Sequence, residues 1–476
     1  MSIDSAATIA RLVRDAGGRA VIVGGWVRDR LLGRAGKDVD VEVYGVPAER
    51  LKALLQSLGP VNTVGESFTV YKVLDVDVSL PRRESKTGRG HRAFEVVGDP
   101  DMSPEDAARR RDFTVNAIAW DPLTDVYLDP FDGRRDLLER RVLRAVDPRT
   151  FGDDSLRVLR GIQFAARFDL EMDGPTRDLC RDIPLDDLPS ERVWGEIEKL
   201  LLLAERPATG LALALELGVI DRLFPELKAL VGCPQEPEWH PEGDVWVHTL
   251  LVVDQARGRL EGLERPQQLT VMLGALCHDL GKPPTTAVLD GRIRSIDHEQ
   301  AGVPPTSAFL DRLNVHTING YDVATQVKGI VAHHLKPHAF FKSPQPASDG
   351  AFRRLAEKVD LELLARVALS DCHGRTGTFD CSAIERFLER ARALGVEHRP
   401  PEPIVKGRHV LELGVQPGPR VGIILRQLYE EQLDGQLTSL EDGIVRAAAL
   451  VRASAGQESP ARRQWKHHDQ ERSDPT

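Results

Sequence analysis

A chain of 476 residues is long enough for two to four domains, each with its own core. Its net charge of −10 excludes a generally cationic nucleic-acid binder, though not a local basic stripe. No apolar run reaches the ~18 residues of a membrane span, and the N-terminal MSIDSAATIARLVRDAGG reads as an amphipathic helix, not a signal peptide, so no membrane segment is expected. The five cysteines (Cys180, Cys233, Cys277, Cys372, Cys381) include no CxxC pair and suggest no disulfide framework, which fits a cytoplasmic protein.

In chain order, AVIVG (20–24) predicts a strand ending in a Gly-Gly turn, followed by a helix WVRDRLLG that stops at Gly33. VDVEVYG (39–45) and YKVLDVDVSL (71–80) read as strands, and 115–130 as a hairpin. The stretch 80–112 between them is Gly- and Arg-rich and reads as a flexible loop. From 153 to about 232, and again from 245 to 395, apolar residues recur at helical spacing. Pro400, Pro401 and Pro403 mark a linker before a last helical piece, and the polar tail is expected to be disordered. No internal repeat is visible. These boundaries predict an α+β chain: a small mixed-sheet head (1–140), a helical neck and body (141–230), a second all-α domain (231–395), a C-terminal helical segment (396–453) and a tail (454–476).

The segment VGGWVRDRLLGRAGKDVDVEVYG carries the first chemical signal. Gly24 and Gly25 let the backbone approach a triphosphate, because no Cβ intervenes. Arg28 lies in the first turn of the helix that follows, where an anion is already favoured. Asp38 and Asp40 alternate on a strand and so share one face. Two carboxylates so placed can bridge a pair of divalent cations that activate a 3′-hydroxyl and stabilise a leaving pyrophosphate. Asp77, on a neighbouring strand, offers a third acid. Alone, a Gly-Gly turn or an Asp-x-Asp is usually an ordinary turn or a solvated face; it is their combination that carries weight.

Further along, RRRDFTVNAIA gathers Arg111, Asp112 and Asn116, a set able to grip a triphosphate and hydrogen-bond a ribose. In DDSLRVLRGIQFAARF, Asp154, Arg157 and Arg160 recur every three residues and are expected on one helix face. An intrahelical ion pair is the plain reading. The functional one has Arg157 donating to a ring nitrogen of C or A while Asp154 accepts from the exocyclic amine, a pairing G and U lack.

A second constellation lies in the later helices: His248 in WVHTLLVV, His278-Asp279 in LGALCHDLGK, and Asp371 in LARVALSDCHGR. A lone His on an apolar face is usually a satisfied core residue. Adjacent His-Asp in an apolar helix is not, since a buried carboxylate needs a cation or donors. Such ligands suit a divalent transition metal with open positions for water and phosphate. Lys282, one turn beyond His278, is placed to meet an anion, and His298, His333 and His334 are candidates for a second metal position.

The motifs GGWVRDRLLG, KDVDVEV, RRRDFTVNAIA, DDSLRVLRGIQFAARF and SERVWGEIEKLL resemble, in order, the class II tRNA nucleotidyltransferase and bacterial poly(A) polymerase family. The resemblance implies a nucleotidyltransferase head, Mg²⁺ on Asp38 and Asp40, triphosphate contact by Gly25, Arg28 and Arg111, and base selection by Asp154, Arg157 and Arg160. The family usually has Glu-Asp where this chain has Asp153-Asp154. The H…HD…D pattern resembles the HD phosphohydrolase superfamily, and WHPEGDVWVHT, LCHDLGK and SDCHGRTG resemble the third domain of one bacterial branch of the same enzymes. This implies hydrolysis of phosphate esters such as 2′,3′-cyclic phosphates with Ni²⁺, Mn²⁺ or Co²⁺. The implied partners are tRNA, CTP and ATP. The alternatives are CC-only or A-only addition, poly(A) synthesis, or a phosphohydrolase with a non-catalytic RNA-binding head.

Overall fold

The computed structural model describes residues 2–36, 38–64, 70–86, 94–342, 345 and 347–455. The chain divides into two compact units, one running to Ala332 and including His373–Gly377, the other made of His333–Cys372 and the chain from Thr378 onward.

In the first unit the strands are β1 (Arg19–Val23), β2 (Asp40–Tyr44), β3 (Asn62–Val64), β4 (Val70–Val73), β5 (Val76–Ser79), β6 (Arg82–Lys86), β7 (Phe94–Gly98), β8 (Ala119–Asp121) and β9 (Val126–Leu128). Among the described residues seven of them form one sheet, in the order β3-β4-β5-β2-β1-β8-β9. The run AVIV gives β1 two apolar faces. Ala20 and Ile22 pack with Ile9 and Val13 of the first helix (Ser2–Asp15), while Val21 and Val23 pack on the other side with Tyr44, Met102 and Ala107. In β2 the alternation sorts chemistry instead. Val41 and Val43 enter the helix-covered core, so Asp40 and Glu42 fall on the opposite face.

Three expectations need correcting here. The run 71–80 is not one strand: Leu74 and Asp75 both take left-handed φ (48° and 60°) and turn the chain between β4 and β5. The alternation continues across the turn, which hides it. Asp38 precedes β2 rather than lying in it. The stretch 80–112 holds an antiparallel pair, β6 with β7, and a helix (Pro104–Arg109) capped by Ser103; residues 87–93 of the expected flexible loop lie outside the described residues.

Beyond the sheet the unit is helical. Leu156–Phe168 packs against Ser190–Leu203 and Pro207–Glu216. Phe113, at the exit of the sheet, meets Phe151 and Phe164 edge-on at 5.4 and 5.9 Å and joins sheet to helices. Val245–Arg257 and Arg265–Cys277 follow as a buried helix pair. In the second unit Phe340, Phe352 and Phe387 form an aromatic cluster, and Val410, Ile424, Leu428 and Ala447 a further core. Cys372 and Cys381 are joined by a disulfide there, against the sequence expectation; nine residues of separation give no hint that the fold brings the two thiols together. Most of the expected disordered tail, 456–476, lies outside the described residues.

Candidate active site

A cavity of about 1110 Å³ opens on the β2 face of the sheet and reaches the helices of the same unit. Gly24, at its rim, has φ +75°, ψ −142°, a conformation that favours glycine, and a Cβ there would stand 3.5 Å from Arg111 Nη1 and 3.7 Å from Asp40 Oδ2. β2 and β5 run parallel with Asp40 opposite Asp77, so residues far apart in sequence share one register position. Asp38 lines the same wall. Partial burial raises the Asp40 pKa, and the charges of Asp77 and Asp38 raise it further against the pull of Arg111. Lys72 donates to both oxygens of Asp77 at 2.9 Å. Glu42, one alternation on from Asp40, meets Arg111 at 3.5 Å and accepts from Tyr44. The donor set is all carboxylate oxygen and mutually repulsive, which fits a hard divalent cation.

The other predicted residues line the same cavity, but several are committed to one another. Arg28 is buried. Its Nη1 donates to Asn116 Oδ1 at 2.7 Å, its Nε and Nη2 to Asp29, and its guanidinium lies 4.1 Å from the centre of the Phe168 ring. Asn116 Nδ2 in turn donates to Asp112 Oδ1 at 3.0 Å, and Arg160 Nε to Asp112 Oδ2 at 2.8 Å. Burial works against the charge on Asp112, but Arg160, Asn116 and the Phe113 amide win and hold its pKa below the usual carboxylate range. A continuous chain of polar contacts, Arg28–Asn116–Asp112–Arg160, therefore ties the sheet to the helix Leu156–Phe168.

Asp154 does not share a helix face with Arg157 and Arg160, as expected from spacing; it sits in the turn before that helix. Its two oxygens accept from Arg192 Nη1 and Nη2 at 3.2 and 3.0 Å. Arg157 donates to the Thr150 and Arg110 carbonyls, which fix its direction. Glu42, Lys72 and Arg192 were missed in the sequence. The alternation of VDVEVY pointed to the first, Lys72 had no signal, and Arg192 stood unremarked inside SERVWGEIEKLL.

The second cluster also has a consistent geometry within the first unit. His248, His278, Asp279 and His298 are buried. The Nε2 atoms of His248, His278 and His298 lie 3.9, 3.1 and 3.5 Å from Asp279 carboxylate oxygens. Each Nδ1 is anchored elsewhere: His248 on Glu242 Oε1 at 2.8 Å, His278 on the Ala275 carbonyl at 2.8 Å, His298 on the Ser295 carbonyl at 2.8 Å. A carbonyl can only accept, so Nδ1 of His278 and of His298 donates, which turns each Nε2 toward Asp279. Imidazole nitrogens converging on a buried carboxylate are the chemistry of a transition-metal site. Gly281 lets the loop pass there, since a Cβ would stand 1.9 Å from the His298 carbonyl oxygen. Lys282 is not held out toward solvent; its Nζ lies 2.8 Å from Asp279 and donates to Gln235 at 2.6 Å. Asp371 is buried on the helix Leu361–Gly374, His334 is buried, and burial lowers the pKa of half-buried His333 to about 4; all three belong to the second unit.

Residues 20–144 match the family described as the poly A polymerase head domain, 177–230 a probable RNA-binding site of polymerase A, and 245–371 the HD domain. A multifunctional CCA protein of Stenotrophomonas maltophilia (strain R551-3) is 37% identical over 375 residues, 75% of this chain and 87% of that one. The chain belongs to the multifunctional CCA protein family. A second member, from Alkalilimnicola ehrlichii, is 35% identical over 414 residues, covering 83% and 94% of the two chains. Among solved structures, the Bacillus stearothermophilus CCA-adding enzyme in complex with CTP has the same fold, with a TM-score of 0.64 at 22% identity over 95% of this chain and 98% of that one. The Thermotoga maritima CCA-adding enzyme complexed with tRNA gives 0.57 at 17% identity over 94% and 95%. No described helix is long and apolar enough to cross a membrane.

Proposed function

We propose that this chain builds or repairs the 3′-terminal CCA of tRNA from CTP and ATP, without a nucleic-acid template, and that its HD domain hydrolyses phosphate esters such as 2′,3′-cyclic phosphates. The observation that carries the first half is one cavity lined by Asp38, Asp40 and Asp77 at the Gly24 turn and by Asp154 and Arg157 on the helical side.

Asp38 and Asp40 would hold Mg²⁺, which when bound activates the attacking hydroxyl and stabilises the leaving pyrophosphate. The tRNA 3′-oxygen forms a bond to the α-phosphorus as the bond to the β-phosphate oxygen breaks. The Gly24–Gly25 backbone gives the triphosphate room, and Arg111 faces it across from Asp40. The chain Arg28–Asn116–Asp112–Arg160 holds the cavity wall. Asp154, steadied by Arg192, accepts from the amine of C or A, while Arg157 donates to the neighbouring ring nitrogen. In the HD domain His248, His278, Asp279 and His298 would hold Ni²⁺, Mn²⁺ or Co²⁺. Support for this set is the anchoring of Nδ1 in His248, His278 and His298 and the span of the HD match. Clearing a phosphate-blocked 3′ end would prepare the tRNA for extension, a pairing of activities suited to the cytoplasm.

The test incubates the purified protein with Mg²⁺, tRNA ending at the discriminator base, CTP and ATP. Addition of C, C and A that needs both nucleotides and is lost in Asp38→Ala supports the reading. A stop after CC, or a long A ladder, replaces it with a CC-adding enzyme or a poly(A) polymerase. No extension of any tRNA end leaves only the HD activity.

A further inference from the structure

Glu242 lies outside the set of residues that the sequence singled out, yet it is nearly fully buried, with 1% of its side chain exposed. Its Oε1 accepts from His248 Nδ1 at 2.8 Å and from His240 Nδ1 at 2.9 Å, and its Oε2 from the Thr376 amide at 3.2 Å. One carboxylate thus gathers the loop before His248, His248 itself and the segment His373–Gly377. The other two imidazoles of the cluster rely on carbonyls, which cannot be altered by side-chain substitution. His248 is held by a side chain, which substitution can replace.

His240, Glu242 and His248 offer ligand atoms within 4.8 Å of one another and resemble a metal triad of their own. The hydrogen bonding argues otherwise. An imidazole nitrogen that donates to a carboxylate carries a proton and has no lone pair for a cation. Instead the arrangement is that of a carboxylate–histidine–metal relay, in which the outer carboxylate fixes the tautomer and aims the far nitrogen. His248 Nε2 accordingly faces Asp279.

We infer that Glu242 is a positioning residue for the HD metal, acting through His248, with His240 as its second hydrogen-bond donor. This rests on the reading that the HD cluster binds a transition metal. Loss of the carboxylate frees His248 to rotate or to put its proton on Nε2, and either removes a ligand.

The experiment titrates the metal-stripped full-length protein with Co²⁺, following the visible ligand-field spectrum and the affinity by calorimetry. Glu242→Gln and Glu242→Ala are each expected to weaken Co²⁺ binding about 10–100-fold, with Glu242→Asp in between, while CCA addition, which uses the cavity lined by Asp38 and Asp40, is unchanged. In a His248→Ala background, Glu242→Gln is expected to cost no further affinity. Retention of Co²⁺ affinity within about threefold in both variants overturns the inference, as does a full additional loss in the His248→Ala background. Circular dichroism and the melting temperature identify a variant that has simply unfolded, and Glu242→Gln, matched in shape, then decides. If the wild type binds no Co²⁺, or binds it equally in Asp279→Ala, the metal reading itself fails and this inference with it. A second equivalent of Co²⁺ lost only in His240→Ala would make the triad a metal site and refute the relay.

Discussion

Replacing Asp112 by Asn tests whether the cavity wall is held as described. The side chain is almost fully buried and accepts three hydrogen bonds: Oδ1 from the Phe113 amide (2.7 Å) and Asn116 Nδ2 (3.0 Å), and Oδ2 from Arg160 Nε (2.8 Å), with Arg160 Nη2 in ion-pair contact at 2.8 Å. Asn keeps one accepting oxygen. Its NH₂ must then face either the Arg160 guanidinium or the donors at Phe113 and Asn116, and both arrangements set donor against donor. Breaking a buried ion pair from one side costs about 3–5 kcal/mol. A third of the Arg160 side chain stays exposed, which lets water relieve part of the stranded charge, so about 2–3 kcal/mol is the working figure. At ~2.1 cal/mol/K of unfolding entropy per residue, a first unit of roughly 340 residues shifts by about 1.4 °C per kcal/mol, so its melting transition falls by about 3–4 °C. Differential scanning calorimetry of the full chain measures it. The pH dependence has a definite sign. Because the folded-state pKa is depressed, the contribution of Asp112 is complete above the unfolded value of about 3.9 and is lost as pH falls through the folded value. The gap between wild type and variant therefore closes in acid. A variant that melts within 1 °C of the wild type at pH 7, or a gap that widens in acid, refutes the network.

Asp40→Ala is expected to lower nucleotide addition at least about 10²-fold at saturating Mg²⁺ while leaving tRNA binding intact, as gel shift and single-turnover extension together would show; a smaller loss removes Asp40 from the chemistry. Arg192→Gln takes away the partner that holds both oxygens of Asp154, so discrimination of CTP and ATP against UTP and GTP should fall about tenfold, read as misincorporation on tRNA ending in CC; unchanged fidelity means Asp154 orients itself. Thiol titration of the denatured, unreduced protein should count the three free cysteines, Cys180, Cys233 and Cys277, and five after reduction; five without reductant contradict the Cys372–Cys381 bond.

Much of the head was legible because its chemistry is local. AVIVGG announces a buried strand and a turn with no Cβ, and VDVEVY sorts acids from valines by period alone. What escaped notice depends on partners distant in sequence. The turn at Leu74-Asp75 lacks the Gly or Asn that usually supports positive φ, so the alternation was read straight through it. Arg28 was legible as a cation near the Gly turn, but not as a buried group spent on Asn116. Asp154 was placed on a helix by spacing, although the helix begins two residues later. Glu242 and Lys282 show the same limit: a residue's type was visible, but its hydrogen-bond partner was not.

The position of β1 has a consequence for how the protein is made. Its two neighbours are β2, only some twenty residues on, and β8, which begins at Ala119. A ribosome adding ~5–20 residues per second needs on the order of 5–20 s after Val23 before β8 has been synthesised. Through that interval one edge of the strand bearing the Gly24 turn has no sheet partner, and an unpaired apolar edge is where nascent chains stick to one another. Slow translation through residues 24–119 should lower the yield of soluble protein more than an equal delay placed after Leu128.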